Sequence, residues 1–243
     1  MDFTPEDLFD ACDRITMDAL KRAGIESPPV DALYLARHGF NFKIEYVEAD
    51  DPSQRKYGDR PTKRRPSSDT VLLRDDMTDE SQHLLAARVV ARILVPDVLQ
   101  KVGVAPGGEN KQATAQLVGL IAPRLLLPSR WFPGDAGRAG FDVLKIKEKY
   151  LTVGFEMIAL RILDLDEPCI IAIVDDDGTI FARKSNRFQA PRKLTDAELR
   201  CRDEIEKTGE PARTRGSGWV VWGWPTPGIP FRRMIFRSVP EDV

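Results

Sequence analysis

Residues that could hold a metal or act as a nucleophile are few in this 243-residue chain, and they are scattered. The two histidines, His38 and His83, stand in separate segments. No imidazole pair therefore sits at i and i+4, where one helical turn would let both grip one ion, and a catalytic zinc draws three protein ligands as a rule. Cys12, Cys169 and Cys201 lie far apart with no C-x-x-C or similar spacing. Such cysteines read as reduced thiols and point to the cytoplasm. Asp175, Asp176 and Asp177 resemble the start of a calcium loop, but the spaced ligands and closing glutamate are missing, so with Gly178 they read as a turn.

Two basic groups suggest other chemistry. Arg55, Lys56, Arg60, Lys63, Arg64 and Arg65 fall in 50–69, where three prolines and few large apolar side chains predict an exposed loop. This loop is either a contact for nucleic acid or an acidic partner, or a solvated linker. From Arg183 to Val243 there are thirteen Lys or Arg against eight Asp or Glu, although the whole chain carries −2. Arg183, Lys184, Arg187, Arg192 and Lys193 surround Ser185, Asn186 and Phe188, and Arg232, Arg233 and Arg237 lie near Trp222 and Trp224. Cations interleaved with rings can bind phosphates and stack on bases, or can form a solvated strand face over core aromatics. An isoelectric point near 5.8 is far from that of a typical nucleic-acid binder.

The elements that must position these residues are legible in outline. Residues 5–23 place Leu8, Phe9, Cys12, Ile15, Ala19 and Leu20 at helical spacing, with Thr4 as N-cap and Gly24 as stop. A short helix over 30–38 and a strand over 41–47 follow, and then a strand over 70–74. A helix begins at Thr78, with Asp79 and Glu80 at its positive end. Pro96 closes it, and Leu85, Ala86, Val89, Val90, Ile93 and Leu94 supply its buried face. The next helix, about 109–127, contains Pro123, which should kink or break it. Helices over 141–149 and 152–163 follow, the second capped by Thr152 and too apolar to read base edges. Beyond 165 the pattern turns to strands: a hairpin over 169–183, then 218–222 and 232–237, with 223–230 as a proline-rich loop around Trp224.

Four segments in order resemble the ImmA/IrrE family of zinc metallopeptidases. Thr70-Val-Leu-Leu-Arg74, the turn Asp75-Asp-Met77 and His83-Leu-Leu-Ala-Ala-Arg-Val-Val-Ala-Arg-Ile-Leu94 are similar to its strand, turn and active-site helix. The stretch from Ala115 through Pro128 to Trp131-Phe132 is similar to its next helix. Ala23-Gly-Ile-Glu-Ser-Pro-Pro-Val-Asp-Ala32 resembles its A-G-I-x-x-P-P-V-D segment, and 150–163 resembles a later helix. In this register the H-E-x-x-H positions read Ala87, Arg88, Val89, Val90, Ala91, and the third, glutamate, ligand position reads Ala115. The resemblance implies an α+β, zincin-like metallopeptidase domain of helices packed on a small antiparallel sheet. It also implies that zinc, its ligands and the general base are lost, because alanine offers no lone pair and Arg88 is a permanent cation.

Composition agrees with a globular domain, at 42% hydrophobic and 30% charged residues. No apolar run approaches the roughly 20 residues that span a bilayer, and the acidic start is unlike a signal peptide. The expected organisation is a peptidase-like domain over 1–166 and a β-rich extension over 167–243. The expected function is that of a catalytically inactive pseudopeptidase, without cofactor, that binds a protein or peptide in bacterial stress response or mobile-element control. Arg88 and His83 are its candidate cleft residues. A nucleic-acid-binding module, a zinc peptidase with unusual ligands and a purely structural subunit are the alternatives.

Overall fold

The computed structural model describes residues 3–48, 69–104, 111–227 and 233–241. The chain divides into two compact units, neither of them continuous: Met1–Gly134 with Lys149–Gly154, and Asp135–Glu148 with Phe155–Val243. Most of 135–165 groups with the C-terminal strands in this division.

In the first unit, helix α1 (Pro5–Arg22) starts as expected. Thr4 accepts the Asp7 amide proton, and the Asp7 carboxylate in turn accepts the Thr4 amide proton at 2.8 Å, so two orphan donors are satisfied at once. A single turn, α2 (Ala32–Tyr34), runs on into a π-helical stretch, Leu35–Gly39. Strands β1 (Lys43–Val47) and β2 (Thr70–Arg74) pair in parallel, with Ile44 opposite Val71 and Tyr46 opposite Leu73. The small sheet expected to be antiparallel is thus a parallel pair in this unit. Parallel strands need a crossover of about a dozen residues or more, and residues 48–69 supply that length.

Helices α3 (Asp79–Lys101) and α4 (Lys111–Leu126) pack on each other and on α1. Both run through a proline, contrary to expectation. Pro96 does not close α3, and Pro123 does not break α4. Each proline removes the bond to the carbonyl four residues earlier. Those carbonyls belong to Arg92 and Gly119, both exposed, where water can replace the lost donor. Buried Arg124 then ties α4 to α1 through Asp13, its Nε 3.1 Å from Oδ1. Leu20, Val90, Leu94, Ile121 and Leu125 on these helices are buried, each gaining roughly 1.5–3 kcal/mol from leaving water. The buried face of α3 is rotated from the expected one: Ile93 is exposed, and Ala86, Ala87, Val90, Ala91, Leu94, Val95 and Val98 face inward.

Helices α5 (Phe132–Arg138), α6 (Val143–Lys149) and α7 (Phe155–Ile162) follow. Thr152 does not cap α7; its hydroxyl instead donates to the Val30 carbonyl at 2.9 Å. The second unit is built on an antiparallel sheet of five strands, β3 (Ile170–Asp175), β4 (Ile180–Ser185), β5 (Ala212–Gly216), β6 (Trp219–Thr226) and β7 (Arg233–Pro240), in the order β4-β3-β7-β6-β5. Helix α8 (Asp196–Thr208) lies on one face. There Ala197, Cys201 and Ile205 meet Ala172, Val174, Val221, Met234 and Phe236. The expected hairpin is β3–β4, its turn completed by Gly178 at φ +84.

The expected loop over 223–230 is corrected in its first part, because β6 continues through Gly223, Trp224 and Pro225. Gly223 makes this possible, since a Cβ there would stand 2.6 Å from Ile205 Cδ1 and 2.7 Å from Cys201 Sγ. Among the described residues no helix is long and apolar enough to cross a membrane.

Candidate functional site

Helix α3 carries the positions where a zinc motif would stand, and its packing decides what they can do. Ala87 and Ala91 lie on its inward face and are completely buried. Arg88, between them in sequence, is exposed, and no ion pair holds it among the described residues. Ala115, near the start of α4, is also exposed. The two alanines therefore fill core volume, while Arg88 and Ala115 meet solvent. Among the described residues no group of three His, Cys, Asp or Glu is placed to hold a metal ion. This donor set does not fit a zinc centre.

His83, one turn before Ala87, is 5% exposed and bonded internally. Its Nδ1 accepts the Ala32 amide proton at 3.1 Å, at the first residue of α2. An accepting Nδ1 places the ring proton on Nε2, which points at Asp79 Oδ1, 3.5 Å away. Asp31 Oδ1 stands 3.8 Å from the same Nδ1, but there two acceptors face each other, so the amide is the true partner. Asp31 instead caps α2 by accepting the Tyr34 amide proton at 2.8 Å. His83 is thus the joint between α2 and α3. His38 is exposed and stacks on Tyr34, ring centroids 4.3 Å apart.

The three thiols are free and buried. Burial pushes Cys12 up to about 11 and Cys201 up to about 12, and it raises Cys169 as well. All three stay protonated near neutral pH, which suits packing and not nucleophilic attack.

Arg55, Lys56, Arg60, Lys63, Arg64 and Arg65 lie outside the described residues, as does Arg232. Much of the remaining C-terminal charge is used internally. Arg183 pairs in bidentate fashion with Glu198, both contacts 2.9 Å, and Glu198 is completely buried. The same carboxylate accepts from the Ser238 hydroxyl at 2.7 Å and the Thr195 amide at 2.7 Å. Burial alone would raise its pKa; Arg183, Thr195 and Ser238 together outweigh burial and hold Glu198 below the ordinary carboxylate range. Arg233 bridges Asp175 at 2.7 Å and Glu156 of α7 at 3.1 Å, and Arg187 pairs with Asp166. Asp175 and Asp177 also shape the β3–β4 turn, Asp177 accepting the Thr179 amide proton at 2.8 Å. Lys184, Arg192, Lys193, Arg213 and Arg215 remain exposed.

Sequence reasoning passed over Glu198 and α8, although Thr195-Asp-Ala-Glu198 is a capping-box pattern that could have signalled both.

The chain matches no family model and no curated protein. Among solved structures it is similar to a Mycobacterium tuberculosis transcriptional regulator, with 18% sequence identity and a TM-score of 0.61 over 97% of this chain and 81% of that one. At that identity the likeness is one of fold.

Proposed function

We propose that this chain is a non-catalytic relative of ImmA/IrrE-type peptidases that acts by binding a protein or peptide in a regulatory, transcription-linked role. The observation that carries this reading is the complete burial of Ala87 and Ala91. Side chains at metal-ligand positions of a working peptidase must present lone pairs to an open cleft, whereas these two methyl groups sit in a packed helix face. Exposed Arg88 then offers a cation where a peptidase would keep its base, a feature suited to an acidic segment of a partner. The fold-level neighbour, a transcriptional regulator, supports the regulatory part by analogy alone.

A second reading, nucleic-acid binding, draws on exposed Arg213 and Arg215 on the edge strand β5 beside Trp222.

One preparation tests both. Protein purified without chelator is expected to carry substoichiometric zinc by elemental analysis, and stoichiometric zinc held through dialysis would overturn the non-catalytic reading. Labelled duplex DNA is expected to show no specific retention in anisotropy. Retention that falls steeply with salt would replace protein binding by nucleic-acid binding.

A further inference from the structure

The face of the five-stranded sheet opposite α8 carries a row of stacked cations and rings. Arg213 on β5, Trp222 on β6 and Arg237 on β7 are register partners and so point to the same side. The Arg213 guanidinium lies 4.9 Å from the Trp222 ring centre, and that of Arg237 lies 5.4 Å from it. Phe141, before α6, covers Arg237 with its ring centre 4.4 Å away.

Arg237 is 5% exposed, yet among the described residues it has no carboxylate within ion-pair distance and its buried Nε has no hydrogen-bond partner. Burial lowers its pKa from the ordinary arginine value, and Cys169 and Glu167 only partly offset this. A guanidinium is costly to keep in such a place without an anion, and its Nε edge is the side that pairs with two oxygens of a carboxylate or phosphate. The cover has its own peculiarity. Phe141 stands at φ +60, a left-handed conformation that a bulky side chain rarely adopts, and its amide N–H donates a hydrogen bond to the Ala136 carbonyl at 2.8 Å.

We propose that Arg237, Trp222 and Phe141 form a binding site for a small oxyanion, a carboxylate or phosphate, with the Phe141 ring as its movable cover. The anion supplies the partner that the Arg237 Nε edge lacks, and Phe141 seals the site when it is empty. Arg213 also stacks on Trp222 and adds positive potential. The site belongs to the second unit and goes beyond the reading of α3.

The test titrates the full chain with inorganic phosphate and, separately, acetate, each against chloride at equal ionic strength. Tryptophan fluorescence and the melting midpoint are both followed. A saturable fluorescence change and a raised midpoint are expected for at least one anion, and the stronger identifies the head group. Arg237→Lys keeps the charge and loses the fork, so binding should weaken about tenfold or more. Phe141→Gly removes the cover at a position whose φ suits glycine, and binding should tighten several-fold. No saturable response in either the unaltered chain or Phe141→Gly overturns the proposal, as does an unchanged affinity in Arg237→Lys. Should Arg237→Lys fail to fold, Trp222→Phe decides, because an undiminished fluorescence response there places the anion elsewhere.

Discussion

At the scale of single residues, Glu198 shows how one carboxylate can serve three purposes. It closes the capping box of α8, neutralises buried Arg183 and binds Ser238 of β7. Removing it leaves a guanidinium only 6% exposed without its anion. Glu198→Ala should therefore cost about 3–5 kcal/mol in urea unfolding, and a loss under 1 kcal/mol would deny the network this weight. The same group sets a pH dependence. Its folded pKa lies below the ordinary 4.5, so its contribution is fully present above that value and is lost as pH falls toward the folded pKa. Glu198→Gln should consequently lose stability less steeply than the unaltered chain below about pH 4.5. By contrast His83, chemically the most suggestive residue in the sequence, is spent on an amide of α2.

At the scale of elements, prolines and glycines gained their meaning from neighbours. Pro96 and Pro123 read as helix breakers, but each faces an orphaned carbonyl on an exposed residue, so the helices continue. Gly223 read as the start of a loop, yet it lies in β6 so near α8 that a Cβ there would collide with Ile205 and Cys201. Gly223→Ala would improve strand propensity and still should destabilise by about 1–3 kcal/mol, since Ile205, Cys201 and Phe236 would have to give way. A denaturation midpoint unchanged or raised in that variant would show that α8 can shift outward freely.

At the scale of the whole molecule, the chain passes between its two compact units three times, at 134, 148 and 154. Each unit has its own buried apolar core, the α1–α3–α4 helices in one and α8 on the five-stranded sheet in the other. Their stabilities should be separable. In Glu198→Ala, amide hydrogen exchange is expected to speed up across β3–β7 and α8 while α1, α3 and α4 keep their protection. Equal acceleration everywhere would mean that the two units unfold as one.

The sequence by itself determined the local pieces that hydrophobic period and capping chemistry specify. These are α1 with its Thr4 cap, β2, the helix from Thr78, the Asp175–Gly178 turn and the α+β character of the chain. It also determined the side-chain inventory, in which Ala87, Arg88 and Ala91 offer no set of zinc ligands. Only the tertiary structure decided the parallel pairing of β1 with β2, the inward face of α3, the burial of His83 and the pairing of Arg183 with Glu198. Periodicity records which residues recur on one side of an element, but partners far apart in sequence meet only when the elements pack. Whether a charge is a surface contact or a buried bond depends on that meeting.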